Sequence, residues 1–131
     1  MSSTYTSTPE TLLIVEKDAH TAYLLNYMLR REGYDVVSSS HCGTTLSMLQ
    51  TMDPPKAVFL DINFIREHDC IMIETIRKTA SWRHVPVLLL AEQHDMDYVQ
   101  AALQAGASDF IMQPFNAAEL IYHIKTHALS A

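Results

Sequence analysis

The chain has 131 residues, 48% of them hydrophobic and 18% charged. That suits one globular domain with a sizeable core and excludes a disordered composition. The formal net charge of -6 argues against non-specific nucleic-acid binding and against attraction to an anionic membrane surface.

No apolar run approaches the length of a membrane span. The opening stretch Met1 to Pro9 is rich in Ser and Thr and lacks the basic-then-apolar order of a signal peptide. Residues 1–10 are therefore expected to form a flexible tail and residues 11–131 a single domain in the cytoplasm. Two cysteines, Cys42 and Cys70, are too few for a disulfide framework and are read as free thiols in a reducing compartment.

Apolar runs alternate with amphipathic segments along the chain. Thr11-Leu12-Leu13-Ile14-Val15 reads as a buried strand. Asp18 then caps a helix carrying Ala22, Leu25 and Leu29, and Gly33 stops it. Asp35 to Ser38 is a second, shorter strand, and Thr44 to Met52 a short helix around Leu46 and Leu49. Pro54-Pro55 delimits a third strand over 56–60, whose apolar run ends on one carboxylate, Asp61. A helix from about Asp69 to Thr79 is marked by Met72, Ile73 and Ile76. Pro86-Val87-Leu88-Leu89-Leu90 is the fourth strand. Asp95 or Asp97 starts the next helix, which runs through Val99, Ala102 and Leu103 to Gly106. Phe110-Ile111-Met112 is the fifth strand. Asn116 caps a last helix through Leu120, Ile121 and Ile124, with Glu119 and Lys125 placed as the helix dipole prefers.

Strand then helix, five times over, gives an α/β fold. The expectation is a three-layer αβα sandwich on a five-stranded parallel sheet of order 2-1-3-4-5, the flavodoxin-like order. In such sheets ligands bind at the carboxyl ends of the strands. That places Asp61, at the end of the third strand, at the functional centre.

Four stretches in register resemble the receiver domain of two-component response regulators. They are Leu12-Leu13-Ile14-Val15-Glu16-Lys17-Asp18, Val58-Phe59-Leu60-Asp61, Pro86-Val87-Leu88-Leu89-Leu90, and Ala105-Gly106-Ala107-Ser108-Asp109-Phe110-Ile111-Met112-Gln113-Pro114-Phe115. The likeness runs from about residue 11 to the end. It implies a non-enzymatic signalling module in a phosphorelay, with Asp61 as the aspartate that accepts a phosphoryl group from a histidine kinase. It further implies a Mg²⁺ ion held by two acids after strand one, by the acceptor, and by the backbone carbonyl two residues later. A Thr or Ser ending strand four and a Lys before the Pro of strand five contact the acyl phosphate, and an aromatic residue of strand five moves with the switch. An anionic carboxylate meets an anionic phosphate only where fixed positive charge and oriented donors neutralise both.

Carried over residue by residue, the likeness is incomplete. Asp61 and Glu16 match the acceptor and the first acid, and Asn63 can offer its backbone carbonyl. Lys17 stands at the second acid and cannot bind a metal. Of the switch positions, Ala91 has no hydroxyl and Gln113 is neutral, while Phe110 keeps the aromatic. Phe64-Ile65 replaces the usual Met-Pro after the acceptor, and His68-Asp69 the Asp-Gly beyond it.

A unit charge at ~4 Å is worth about 4 kcal/mol at an effective dielectric of about 20. An ammonium in this pocket therefore repels Mg²⁺, and Mg²⁺ binding is expected to be weak or absent. The residues leave two placements open for Lys17: paired with Asp61 as a tethered cation, or in solvent. The site reads as a degenerate receiver. Either Asp61 is still phosphorylated, slowly, or the chain is a pseudo-receiver that works as a protein–protein interaction module without phosphorylation. An FMN-binding electron carrier on the same fold needs a Gly- and hydroxyl-rich phosphate loop, and Glu16-Lys17-Asp18-Ala19-His20 is not one.

His123 and His127 share a helix face, as zinc ligands can. No third ligand has a supporting spacing, so the expectation is an exposed helix carrying two histidines. His20, His68 and His84 receive no role. The resemblance places partner docking, with a histidine kinase, another signalling protein or a second copy, on the face made by the fourth helix, fifth strand and fifth helix. Met96, Tyr98 and Tyr122 fall there with few basic residues, and no nucleic-acid or membrane contact is expected. It also implies a cis peptide at Gln113-Pro114.

Overall fold

The computed structural model describes residues 10–129. Five strands, β1 (Thr11–Val15), β2 (Asp35–Ser39), β3 (Ala57–Asp61), β4 (Val87–Ala91) and β5 (Asp109–Met112), alternate with helices. The helices are α1 (Ala19–Arg31), α2 (Cys42–Thr51), α3 (Asn63–His68), α4 (Ile71–Lys78), α5 (Met96–Ala105) and α6 (Ala117–Leu129), with a 3-10 turn over Gln93–Asp95. The strands form one parallel sheet ordered β2-β1-β3-β4-β5, as expected. Of the tail expected over residues 1–10, residues 1–9 lie outside the described residues. Glu10 is tied down, its carbonyl accepting from Asp35 N–H at 2.9 Å and its carboxylate pairing with Lys56.

Strand residues alternate between the two faces of the sheet, so each apolar run serves two cores. Leu12, Ile14, Phe59, Leu88 and Leu90 pack with Leu25 and Leu29 of α1 and Leu120 and Ile124 of α6. Leu13, Val15, Val58, Leu60, Val87 and Leu89 pack on the other face with Leu49, Ile65, Ile73, Ile76 and Val99. The central strands β1, β3 and β4 are buried on both faces, which is why they read as continuous hydrophobic runs rather than alternating ones.

Most boundaries fall where local chemistry sets them. Asp18 caps α1 by accepting from Thr21 N–H at 2.9 Å, and Asn116 caps α6 through Glu119 N–H at 2.9 Å. Gly33 and Gly106 end their helices at φ 95° and 121°, values that favour glycine. The third strand begins one residue later than the apolar run suggests and includes Asp61. Lys56 N–H turns to Thr11 O, and Ile62 N–H continues the ladder to Leu90 O. The Gln113-Pro114 peptide is cis, and Cys42 and Cys70 are free thiols.

One element was not legible. The stretch after Asp61 is helical: α3 buries Phe64 and Ile65 and exposes Asn63, Arg66, Glu67 and His68. Six residues are too few to display a repeating 3.6-residue period. The helix expected over 69–79 starts only at Ile71, because Asp69 breaks the chain direction at φ 55°, ψ -148°. That combination belongs essentially to glycine and costs other residues ~1–3 kcal/mol.

Asp69→Gly should relieve that strain while adding ~0.5–1 kcal/mol of unfolded-chain entropy. The variant is expected to be more stable by about 1 kcal/mol in urea unfolding. A lower unfolding midpoint for the variant contradicts this account of the α3–α4 corner.

Candidate functional site

The parallel register delivers two carboxylates to one rim. Val15 of β1 stands beside Leu60 of β3, so the next residues, Glu16 and Asp61, lie side by side where the two strands end. Both are buried, at 5% and 3% exposure. Glu16 N–H is held by Ser39 O of β2 at 3.0 Å, and Asp18 N–H donates to Glu16 Oε2 at 3.1 Å.

Asp61 is oriented by nearby donors. Its Oδ1 accepts from Asn63 N–H at 3.0 Å and from the Asn63 side-chain amide at 3.1 Å. Its Oδ2 accepts a long contact, 3.5 Å, from Lys17 N–H. The side chain of Asn63 thus belongs to the site as a donor to the Asp61 carboxylate, besides the carbonyl considered from sequence. That carbonyl stands at the first turn of α3, where the i to i+4 helical pattern also draws on it.

Two buried carboxylates cannot both hold full charge at ordinary cost. Burial, with the Asp61 carboxyl group next to it, pushes the Glu16 carboxyl up to about 8 in the metal-free protein. Glu16 Oε1 is buried with no hydrogen-bond partner among the described residues. Within reach of Asp61, it is satisfied by one proton shared between the two carboxyl groups, or by a cation.

Lys17 is not paired with Asp61; it takes the solvent-exposed placement considered from sequence. Its Nζ pairs with Glu67 of α3 and lies 5.8 Å from the centre of the Phe64 ring. The ammonium is therefore balanced by its own carboxylate partner rather than by Asp61. Arg66, on the same short helix, makes a parallel arrangement. It pairs with the buried Asp95, donates to Asn63 Oδ1 at 3.3 Å, and covers the Tyr98 ring at 4.9 Å. Burial works against ionisation of Asp95, but the Glu92 N–H and Arg66 outweigh it and hold the carboxyl below its usual range. Glu67, Arg66 and Asp95 carry no family signature, and the first two sit on the helix that the sequence did not disclose.

The remaining expected positions fall around this rim. Ala91 ends β4, fully buried, and its carbonyl accepts from Gln113 N–H at 2.8 Å. Gln113 and Phe110 are both half-buried, the latter packed against the α2–α5 core. The donor chemistry of the rim suits Mg²⁺ in part. Glu16 and Asp61 supply two oxygens that Mg²⁺ accepts alongside water, and the orphaned Glu16 Oε1 is a vacant donor. The third carboxylate of the family set is lacking, and Glu16 must first give up its proton. With its carboxyl at about 8, a cation here competes with that proton.

A family model described as the response regulator receiver domain matches residues 12–125. Among curated proteins, the transcriptional regulatory protein PdtaR of Mycobacterium tuberculosis is 31% identical over 113 residues, covering 86% of this chain and 54% of PdtaR. The transcriptional regulatory protein YbdJ of Bacillus subtilis is 32% identical over 114 residues, covering 87% of this chain and 48% of YbdJ. The chain spans about half the length of these relatives.

Among solved structures, one assigned to a response regulator of Chloroflexus aurantiacus is 28% identical with a TM-score of 0.82, covering 93% of this chain and 99% of the other. The receiver domain of the sensor histidine kinase PA1611 of Pseudomonas aeruginosa PAO1, solved with a magnesium ion coordinated in its active site cleft, has a TM-score of 0.78. It is 22% identical, covers 92% of this chain and is itself covered to 98%. A likeness at that identity concerns the fold alone.

The raised Glu16 carboxyl has a signature in stability. Unfolded, it titrates near 4.5; folded, near 8. Between those values the folded state holds the extra proton, so stability from this group is complete below pH 4.5 and is lost as pH rises through 8. Glu16→Gln keeps a neutral acceptor for Asp18 N–H and removes that loss. In thermal unfolding without metal, the variant is expected to exceed the natural protein by up to roughly 5 kcal/mol above pH 8. The gap should close towards pH 4.5, and a pH-independent difference contradicts the buried carboxyl pair.

Proposed function

The chain belongs to the response regulator receiver domain family, and from that premise we propose that it is a signalling receiver whose phosphoacceptor site is impaired. Asp61 keeps the acceptor position. The observation that carries the reading is the composition of the rim around it: Ala91 and Gln113 stand where a hydroxyl and an ammonium belong, and Lys17 where a second acid belongs. In phosphoryl transfer the protein contributes positioning and charge neutralisation far more than covalent chemistry. Mg²⁺, when bound by Glu16 and Asp61 with the Asn63 carbonyl, supplies positive charge for that purpose. Without the other two groups, phosphorylation of Asp61 is slow and its product poorly held.

A second reading is favoured by the ion pairs beside the rim. Lys17–Glu67 and Arg66–Asp95 set the nearby charges against one another without metal or phosphate. Arg66 also links Asn63, and through it Asp61, to the start of α5. On this reading the loop between the acceptor and α5 rests in a single state, and the chain works as a pseudo-receiver, an interaction module independent of phosphorylation. Under either reading it acts in the cytoplasm through the α5–β5–α6 face, towards a histidine kinase, another signalling protein or a second copy. Tyr122 of that face is 65% exposed and Tyr98 39%. No helix among the described residues is long and apolar enough to cross a membrane.

Intact mass after incubation with a small acyl-phosphate donor and Mg²⁺ separates the readings. A triple variant, Lys17→Asp with Ala91→Thr and Gln113→Lys, is expected to gain one phosphoryl group rapidly. The natural protein should gain it at least tenfold more slowly, the order of effect that single oxyanion-stabilising groups carry, or not at all. Slow gain that disappears in Asp61→Asn supports the impaired receiver, and no gain supports the pseudo-receiver. Uptake as fast as in the triple variant refutes both.

A further inference from the structure

Away from the Asp61 rim, α6 and β5 bring three metal-ligating side chains together. His123 and His127 lie one turn apart on α6, their rings nearly parallel at 7° with centroids 6.3 Å apart. Asp109 opens β5. Its Oδ2 is 3.3 Å from His123 Nδ1 and 3.1 Å from His127 Nε2. The three ligand atoms lie within 4.8 Å of one another, the one such group among the described residues. Neither histidine is on an exposed surface: their side chains are 18% and 20% accessible, and that of Asp109 is 37% accessible. The strand supplies the third ligand that spacing along the chain could not reveal.

A carboxylate between two imidazoles is also an ordinary ion pair, so the details decide. His123 Nδ1 is buried and its contact with Asp109 lacks hydrogen-bond geometry, which leaves a nitrogen lone pair available in the neutral ring. Tetrahedral Zn²⁺ with bonds of about 2.0–2.1 Å separates its ligand atoms by about 3.3 Å. The two observed N···O separations are of that size. The other carboxylate oxygen, Oδ1, accepts Phe110 N–H at 2.8 Å, which orients Asp109 as outer-shell donors orient metal ligands and leaves Oδ2 to face the histidines.

We propose that Asp109, His123 and His127 form a binding site for a divalent transition-metal ion of the Zn²⁺ type. Two imidazoles and one carboxylate suit Zn²⁺ and its borderline neighbours and are a poor set for Mg²⁺, which demands octahedral oxygens. Three protein ligands leave a fourth position for water, and the partial exposure of Asp109 gives the ion a way in. A bound ion ties the start of β5 to α6 beside Phe110, on the face assigned above to docking. The site itself does not depend on the state of Asp61.

Calorimetric titration of the full chain with Zn²⁺, in excess Mg²⁺, tests this. One equivalent is expected to bind, and Co²⁺ in its place should give the intense visible absorption of a tetrahedral site. Asp109→Asn, His123→Gln and His127→Gln, each checked for folding by circular dichroism, should weaken Zn²⁺ binding at least tenfold and abolish that absorption. Glu16→Gln combined with Asp61→Asn should change neither. The proposal is overturned if the natural protein binds no Zn²⁺, or if the three folded variants bind it as tightly as the natural protein does.

Discussion

Two carboxyl groups, Glu16 and Asp61, are buried next to each other because adjacent parallel strands end together. The rest of the site is arranged around that contact. A pair of carboxylates in a low-dielectric rim needs a proton, a cation or a set of donors. Donors come from Asp18 N–H, Asn63 and Lys17 N–H, and the proton from the raised Glu16 carboxyl. A metal ion in this position replaces the proton rather than filling an indifferent hole, so ion binding, pH and stability are linked through one contact.

The cations near the rim are engaged elsewhere. Lys17–Glu67 is solvent-exposed on both sides, and such pairs are typically worth ~0–1 kcal/mol. The Arg66–Asp95 pair differs because Asp95 is 2% exposed and also accepts Glu92 N–H at 2.9 Å. Removing Arg66 leaves a buried carboxylate short of a partner, which is costly. Of the two, Arg66 is therefore the anchor that fixes α3 against α5, and Lys17 the readily displaced member. Ala91 at the end of β4 has no hydroxyl, and Asp61 is connected to the start of α5 through Asn63 and Arg66 by hydrogen bond and ion pair.

The sheet was legible because its central strands are buried on both faces and its helices begin and end on Asp18, Gly33, Gly106 and Asn116, each with a local physical reason. The place of Asp61 at the end of the third strand could be read from the chain order. Three things could not. The helix α3 is too short to show a period, so Arg66 and Glu67 were without a place. The direction of the Lys17 side chain depends on Glu67, fifty residues away in sequence. The third partner of His123 and His127 lies on a neighbouring strand, invisible to spacing within the helix. Each failure concerns a contact between elements rather than the elements themselves.

The carboxyl pair is most directly examined by side-chain carbon NMR of the metal-free protein, following Glu16 and Asp61 through a pH titration. Glu16 is expected to release its proton near pH 8, and addition of Mg²⁺ should shift that step to lower pH. Titration of Glu16 at its ordinary 4.5, with no response to Mg²⁺, would contradict the account.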